Sequence, residues 1–214
     1  MEDGGYQEVV DAHSLREVLG KISPRTKDKE RAALHPLQKR WIEASPFCLV
    51  ATAAANGRCD VSPKGDAPGF TLVLDDTTLA IPERPGNRRA DGFHNILENP
   101  HVGLIYLLPG RTDTLRVNGR ARILREAPFF DRMIANGHRP KLALLIDIEE
   151  IFFHCSKAFL RSELWKPQTW QPEQLPPHAE ISYALNPKDT SIEKLREYYG
   201  ETYTLGLYQE KSPD

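Results

Sequence analysis

The stretch Ile81-Pro82-Glu83-Arg84-Pro85-Gly86-Asn87-Arg88-Arg89, running on into Ala90-Asp91-Gly92-Phe93-His94-Asn95-Ile96-Leu97, organises the reading of the whole chain. A strand ends at Ile81 and a Pro/Gly turn follows. Asn87 is then a candidate helix N-cap, which places Arg88 and Arg89 in the first turn of a helix. Arginine in a first turn sits against the positive end of the helix dipole, so its usual purpose there is an anion. Exposed backbone N–H groups, the Asn87 side chain and three guanidinium groups together make a phosphate seat. The same spacing suits a solvated basic turn, and the flanking sequence decides between the two.

Upstream, residues 1–45 read as a helical extension. Ser14-Leu15-Arg16-Glu17 fits a capping box, residues 28–34 are charged and helix-prone, and Pro36 opens a short helix that Pro46 closes. Leu37, Trp41 and Ile42 form one apolar stripe on that helix. From Phe47 the pattern changes to strands. Phe47-Cys48-Leu49-Val50-Ala51-Thr52-Ala53 meets Asn56-Gly57, a strong hairpin signal, and residues 58–62 return before a loop at 63–69. Residues 70–74 and 78–81 flank an Asp75-Asp76 turn to make the next hairpin.

Downstream, the helix at 88–98 stops at Asn99-Pro100, and the apolar run 102–108 predicts a strand covered on both faces. Residues 115–123 alternate most cleanly: Leu115, Val117, Gly119, Ala121 and Ile123 share one face, and Arg116, Asn118, Arg120 and Arg122 the other. A helix over 128–135, a strand over 142–153 and a helix from Ser156 to about Trp165 follow. The remainder reads as a Pro-rich meander at 167–177 plus one helix at 191–199. Short antiparallel strands with one mid-chain helix and helical ends predict a small β-barrel, mainly β with helices. The domain reading is an extension at 1–45, a barrel at 46–165, and a C-terminal extension at 166–214 that packs on the barrel or on a dimer partner.

The 214 residues suffice for one sizeable core, and a net charge of −2 with acids and bases interspersed argues against a nucleic-acid binder. No apolar run approaches the ~20 residues of a membrane span, and the N-terminus lacks a signal-peptide pattern, so a cytoplasmic setting is expected. Cys48, Cys59 and Cys155 have no metal-binding or disulfide-framework spacing, and Cys155 is expected to be a buried small hydrophobe. The seven histidines form no H-x-H or H-x-x-x-H pattern, so no metal site is expected. Walker and G-x-S-x-G patterns do not occur, which removes support for nucleotide hydrolysis and acyl transfer.

Over residues 40–165 the order of elements resembles the pyridoxamine 5′-phosphate oxidase-like flavoproteins, the FMN-binding split β-barrel family of Greek-key type. The resemblance rests on Val61-Ser62-Pro63-Lys64-Gly65-Asp66, on Arg84 to Arg89, on Asn99-Pro100-His101-Val102, on Leu115-Arg116-Val117-Asn118-Gly119-Arg120-Ala121, and on His154-Cys155-Ser156-Lys157-Ala158-Phe159. It implies a homodimer with FMN in the groove between two chains. Asn87, Arg88 and Arg89 would hold the phosphate, and Ser62 and Lys64 would lie near the ring and ribityl chain. Thr114, with Arg116 beside it, would reach the ring from the second subunit, and Ser156 and Lys157 would close on the ring or substrate side. Pro63, Ile81 and Phe159 are available as apolar cover, and Lys64 or Arg116 could raise the flavin's potential.

The sequence departs from true pyridoxine phosphate oxidases: 191–214 lacks their aromatic, arginine-rich ending, and Asp60 stands where they carry a phosphate-binding arginine. The resemblance therefore implies an FMN-dependent oxidoreductase acting on another small molecule, with NAD(P)H one candidate donor. Alternatives kept open are a non-catalytic flavin or haem carrier or sensor, an F420-dependent reductase, and a plain dimeric interaction domain. Haem would look to His94 or His101 as a ligand, and F420 to Arg111, Arg120 and Arg122 as a second basic patch.

Overall fold

The computed structural model describes residues 5–23, 29–187 and 190–209. Close contacts group the chain into two units, Met1–Glu30 and Arg31–Asp214. The first holds helix α1 (Ala12–Leu19), whose N-cap is Asp11: its side chain accepts the Ser14 backbone N–H at 2.8 Å. Ser14 therefore lies inside the first turn, and the helix is capped one turn earlier by Asp11 in place of the capping box expected to start at Ser14.

The second unit is built on a seven-stranded, wholly antiparallel sheet. Its strands are β1 (Phe47–Ala53), β2 (Cys59–Gly65), β3 (Leu72–Val73), β4 (Thr78–Pro82), β5 (His101–Leu107), β6 (Thr114–Leu124) and β7 (Ala143–His154). They lie in the order β2-β1-β5-β6-β7-β4-β3. This is the mainly-β, split-barrel class expected from the sequence, with β2 and β3 at the two free edges.

Alternation explains the core. Cys48 and Val50 of β1, Val102, Leu104 and Tyr106 of β5, and Leu115, Val117 and Ala121 of β6 all point to one interior and are buried. Strand β5 is covered on one face only: Gly103, Ile105 and Leu107 on the other face are half-exposed, contrary to the two-sided burial that its apolar run predicts. At the Asn118/Gly119 step the β6–β7 register shifts, and a Cβ on Gly119 would lie 2.1 Å from the Asp147 carbonyl oxygen. Glycine is required there by close backbone approach.

Helix α2 (Pro36–Ala44) opens with a capping box in which His35 and Gln38 exchange bonds. Gln38 is buried by that role, Trp41 and Ile42 reach the core, and Leu37 is left 59 % exposed, so the predicted stripe holds at two of its three positions. Helix α3 (Asp91–Glu98) packs Asn95 and Ile96 inward.

Several boundaries differ from expectation. Strand β2 continues through Pro63 to Gly65, where a loop was expected; β2 is an edge strand, so the missing proline N–H costs no ladder bond. Residues 29–34 form no helix, and Arg31 instead exchanges backbone bonds with Ile151 of β7; Asp28 lies outside the described residues. The helix expected over 128–135 is one 3-10 turn, Phe130–Met133, which buries Phe130 and Met133. The helix expected from Ser156 shortens to α4 (Lys157–Arg161), and the Ser156 side chain makes no cap bond. Beyond it, α5 (His178–Leu185) forms just past the Pro-rich run, where no helix was expected. Helix α6 (Ile192–Tyr198), capped by Ser191, and a 3-10 segment, Glu201–Gly206, are the last elements among the described residues. Among the described residues no helix is long and apolar enough to cross a membrane.

Candidate functional site

Between β4 and α3 the backbone takes an unusual path. Arg88 and Ala90 are both left-handed, at φ 60° and 57°. Such angles cost a non-glycine residue about 1 kcal/mol or more and persist where surroundings impose them. The Asn87 Oδ1 accepts the Arg89 N–H at 3.1 Å, so Asn87 closes a local turn and does not cap the helix. The N-cap is Ala90, which offers no side-chain bond. Arg88 and Arg89 accordingly stand just before the helix, a correction to their expected place in its first turn. The amides of that turn are left without a side-chain cap, with Asp91 as the acid beside them.

This segment forms one wall of a cleft of about 650 Å³, with β2 as the opposite wall. Val50, Phe70, Ile96 and Leu144 supply apolar lining, as does Pro63, expected as flavin cover. The cleft lies where the barrel is split. No backbone ladder joins β2 to β4, and side chains bridge the gap. Lys64 of β2 pairs with Glu83, and its ammonium lies 5.2 Å from the centre of the Phe93 ring. The Arg84 Nε donates to Asp66 Oδ2 at 2.6 Å, and the Tyr208 hydroxyl donates to Asp66 Oδ1 at 2.5 Å. Burial pushes the Asp66 carboxyl up, but bonds from Tyr208, the Ala67 amide and Arg84 outweigh it and hold the group below its ordinary value.

At the helix end of the cleft the Arg89 Nε donates to Asp91 Oδ2 at 2.8 Å, which lowers the carboxyl and raises the guanidinium. Arg88 has no ion-pair partner among the described residues. Below them α3 rests on β1 through Gly92, whose missing Cβ would stand 3.3 Å from Asp60 Oδ2 and 3.6 Å from Thr52 Oγ1. Buried Asn95 donates to the same Thr52 oxygen at 3.0 Å.

Of the residues singled out from sequence, Ser62, Lys64, Asn87, Arg88 and Arg89 line this one cleft. Ile81 does not; it is in the core at 1 % exposure. Thr114 is buried at the start of β6 opposite His154, and the Arg116 guanidinium lies 5.3 Å from the Phe152 ring centre. Ser156 and Lys157 open α4. Within one protomer these four residues do not join the cleft. Phe159 packs near Trp165, with ring centroids 6.0 Å apart.

The arginines that F420 would require are also elsewhere. Arg111 pairs with Asp113, Arg122 with Asp147, and Arg120 contacts His101. Neither His94 nor His101 lines the cleft. Cys155, expected to be buried, is exposed because β7 ends one residue before it.

The sequence reading missed the carboxylates as site residues. Asp60, Glu83 and Asp91 line the cleft, and Asp66 stands behind Arg84. Their signal was present: each lies within three residues of a cation in the same two segments. The donor set fits a phosphate monoester, because Arg88 has no ion pair among the described residues, Arg84 gives Asp66 only its Nε, and the first turn of α3 has no side-chain cap. An anion entering there competes with Asp91 for Arg89.

The family model described as pyridoxamine 5′-phosphate oxidase matches residues 34–155, more than half of the chain. Among solved structures, HupZ of Group A Streptococcus is similar at 22 % identity, over 56 % of this chain and 93 % of that one, with a TM-score of 0.46. General stress protein 26 of Bacillus anthracis matches at 16 % identity, over 53 % of this chain and 88 % of that one, with a TM-score of 0.42. An FMN-binding protein of Syntrophomonas wolfei matches at 16 % identity, over 56 % and 90 %, also at 0.42. No curated protein matches the chain.

Proposed function

The chain belongs to the pyridoxamine 5′-phosphate oxidase family, and from that membership we propose that it binds FMN in the cleft between β2 and α3 and acts as an FMN-dependent oxidoreductase on a small molecule. The observation that carries the reading is that Arg84, Arg88, Arg89 and the uncapped start of α3 line one cleft together with the apolar side chains of Val50, Phe70, Ile96 and Leu144. Phosphate recognition needs several charge-assisted donors at one point, and a flat heterocycle needs water-excluding cover.

Arg88 and the α3 amides would hold the phosphate, with Arg89 exchanging Asp91 for it. The Ser62 hydroxyl can donate to or accept from a polyol chain. Lys64 would stand beside the ring, its charge moderated by Glu83. Val50, Phe70 and Leu144 line the same cleft and would supply apolar cover. FMN would supply hydride or electron transfer at its N5 position, and the chain's own contribution is to bind, orient and tune it.

Arg116, Ser156 and Lys157 lie outside the protomer's cleft and keep exposed surface, which fits a homodimer in which the partner supplies them, whereas Thr114 is buried in its own protomer. A cytoplasmic location is part of the same reading. The test is direct: purified chain is titrated with FMN and flavin fluorescence is followed, with size measured in parallel. Saturable quenching by a dimer is expected, and NAD(P)H consumption by the loaded protein separates an enzyme from a carrier. A chain indifferent to FMN at any concentration overturns the reading.

A further inference from the structure

The C-terminal tail reaches the rim of the cleft at one residue that the flavin reading leaves without a role. Tyr208 follows the 3-10 segment Glu201–Gly206, half-buried, with its hydroxyl 2.5 Å from Asp66 Oδ1. Its ring lies 5.9 Å from the Arg84 guanidinium carbon and stacks on His138 with centroids 5.9 Å apart. The Asp66 side chain is only 4 % exposed, and it accepts from Tyr208, Arg84 and the Ala67 amide. A carboxylate so enclosed must have its lone pairs satisfied, or it turns toward whichever donor remains. Arg84 is the flexible donor, and it alone of these groups lines the cleft.

We infer that Tyr208 is a positioning residue for the anion end of the cleft. With the Ala67 amide it fills Oδ1 of Asp66, so that Oδ2 holds Arg84 by Nε alone, and the two terminal guanidinium nitrogens remain available to a bound phosphate. The tail thereby becomes part of the binding site without touching the ligand. This rests on the flavin reading. Without the hydroxyl, Asp66 is free to draw the Arg84 fork into a two-pronged pair, the geometry that arginine and carboxylate favour, and the phosphate loses a donor. Linkage makes the effect reciprocal: a ligand that engages Arg84 stabilises the docked tail, and a docked tail strengthens that ligand by the same factor.

The test compares FMN with riboflavin, which lacks the phosphate, on the full chain and on Tyr208→Phe. The substitution keeps the ring over Arg84 and removes only the hydroxyl. FMN affinity should fall roughly tenfold, the worth of one charge-assisted bond, while riboflavin affinity stays within about twofold. Amide exchange over 201–209 should slow when FMN is added to the parent chain, and slow less in Tyr208→Phe. Equal weakening of both flavins would reduce Tyr208 to a structural strap and overturn the proposal, as would unchanged FMN affinity. A parent chain that binds riboflavin as tightly as FMN removes the phosphate seat and this inference together, while leaving flavin binding in place. Failure of the parent to bind either flavin overturns the proposed function itself.

Discussion

The barrel closes in two ways. On one side β6 and β7 run together from Thr114–His154 to Leu124–Ala143 through backbone bonds, over buried Leu115, Val117, Ile146 and Ile151. On the other, β2 and the end of β4 face each other across the cleft, held by Lys64–Glu83 and by Arg84–Asp66–Tyr208. The first closure is directional and rests on backbone bonds over an apolar face, with the exposed Arg122–Asp147 pair only an addition to it. The second is ionic and has a ligand-sized gap inside it. A ladder there would have filled the space with backbone; ion pairs can exchange partners, so a binding site can sit in the seam at little cost to the fold.

The largest way to break this contrast is Gly119→Ala. The new Cβ would lie 2.1 Å from the Asp147 carbonyl oxygen, and backbone on both strands would have to move. A loss of about 4 kcal/mol or more is expected, or no folded protein at all. Equilibrium denaturation measures it, and a loss below about 1 kcal/mol would mean that the ladder yields as readily as the seam.

The seam should show the opposite behaviour. Arg88→Ala with Arg89→Ala removes two phosphate donors, at about 1.5–3 kcal/mol each, so FMN affinity should drop by on the order of a hundredfold or more. Stability should change by no more than about 0.5 kcal/mol, because both side chains are exposed and Arg88 has no ion-pair partner among the described residues. FMN titration and thermal melts on the same samples separate the two effects. A strongly destabilised double variant would show the turn to be structural.

A smaller effect sharpens the comparison through pH. Asp66 has its carboxyl held below the ordinary 3.8, so ionisation is easier folded than unfolded. Its contribution is therefore present above the unfolded value and fades as pH falls through the folded one. Asp66→Asn should cost about 1–2 kcal/mol at neutral pH, and the gap between parent and variant should close in acid. Denaturant midpoints across pH 2–7 test this. A gap that stays constant would place the loss in packing and not in charge.

The ladder was legible in the sequence and the seam was only half so, for a physical reason. Period-two alternation at 115–123 and the Asn56-Gly57 turn are local signals, and local signals set strand identity. The cations at 64, 84, 88 and 89 could be picked out because basic residues beside a Pro/Gly turn are conspicuous. Their partners could not. Lys64–Glu83 and Asp66–Tyr208 join residues far apart in the chain, and no spacing rule connects them. The left-handed angles at Arg88 and Ala90 were equally hidden, since neither is a residue type that announces positive φ. For that reason the helix was expected to start three residues early. The exposure of Cys155 was missed because one residue decides whether it belongs to β7 or to the turn beyond.

The finest probe of the two closures uses thiols. Cys48 of β1 and Lys64 of β2 are register partners, yet their surroundings are opposed. Burial pushes the Cys48 thiol up to about 12, with Lys64 pulling the other way, whereas Cys59 and Cys155 are exposed. Only a thiolate attacks a disulfide reagent, so Cys48 is protected both by access and by ionisation. In native protein at mildly alkaline pH, two thiols should titrate quickly and the third only at the rate of unfolding, while denatured protein should release all three together. Adding FMN should leave Cys48 unchanged and slow only thiols that a ligand or dimer partner covers. If Cys48 reacts with the fast pair, then β1 opens along with the seam, and the ionic closure is holding more of the barrel than its few side-chain pairs suggest.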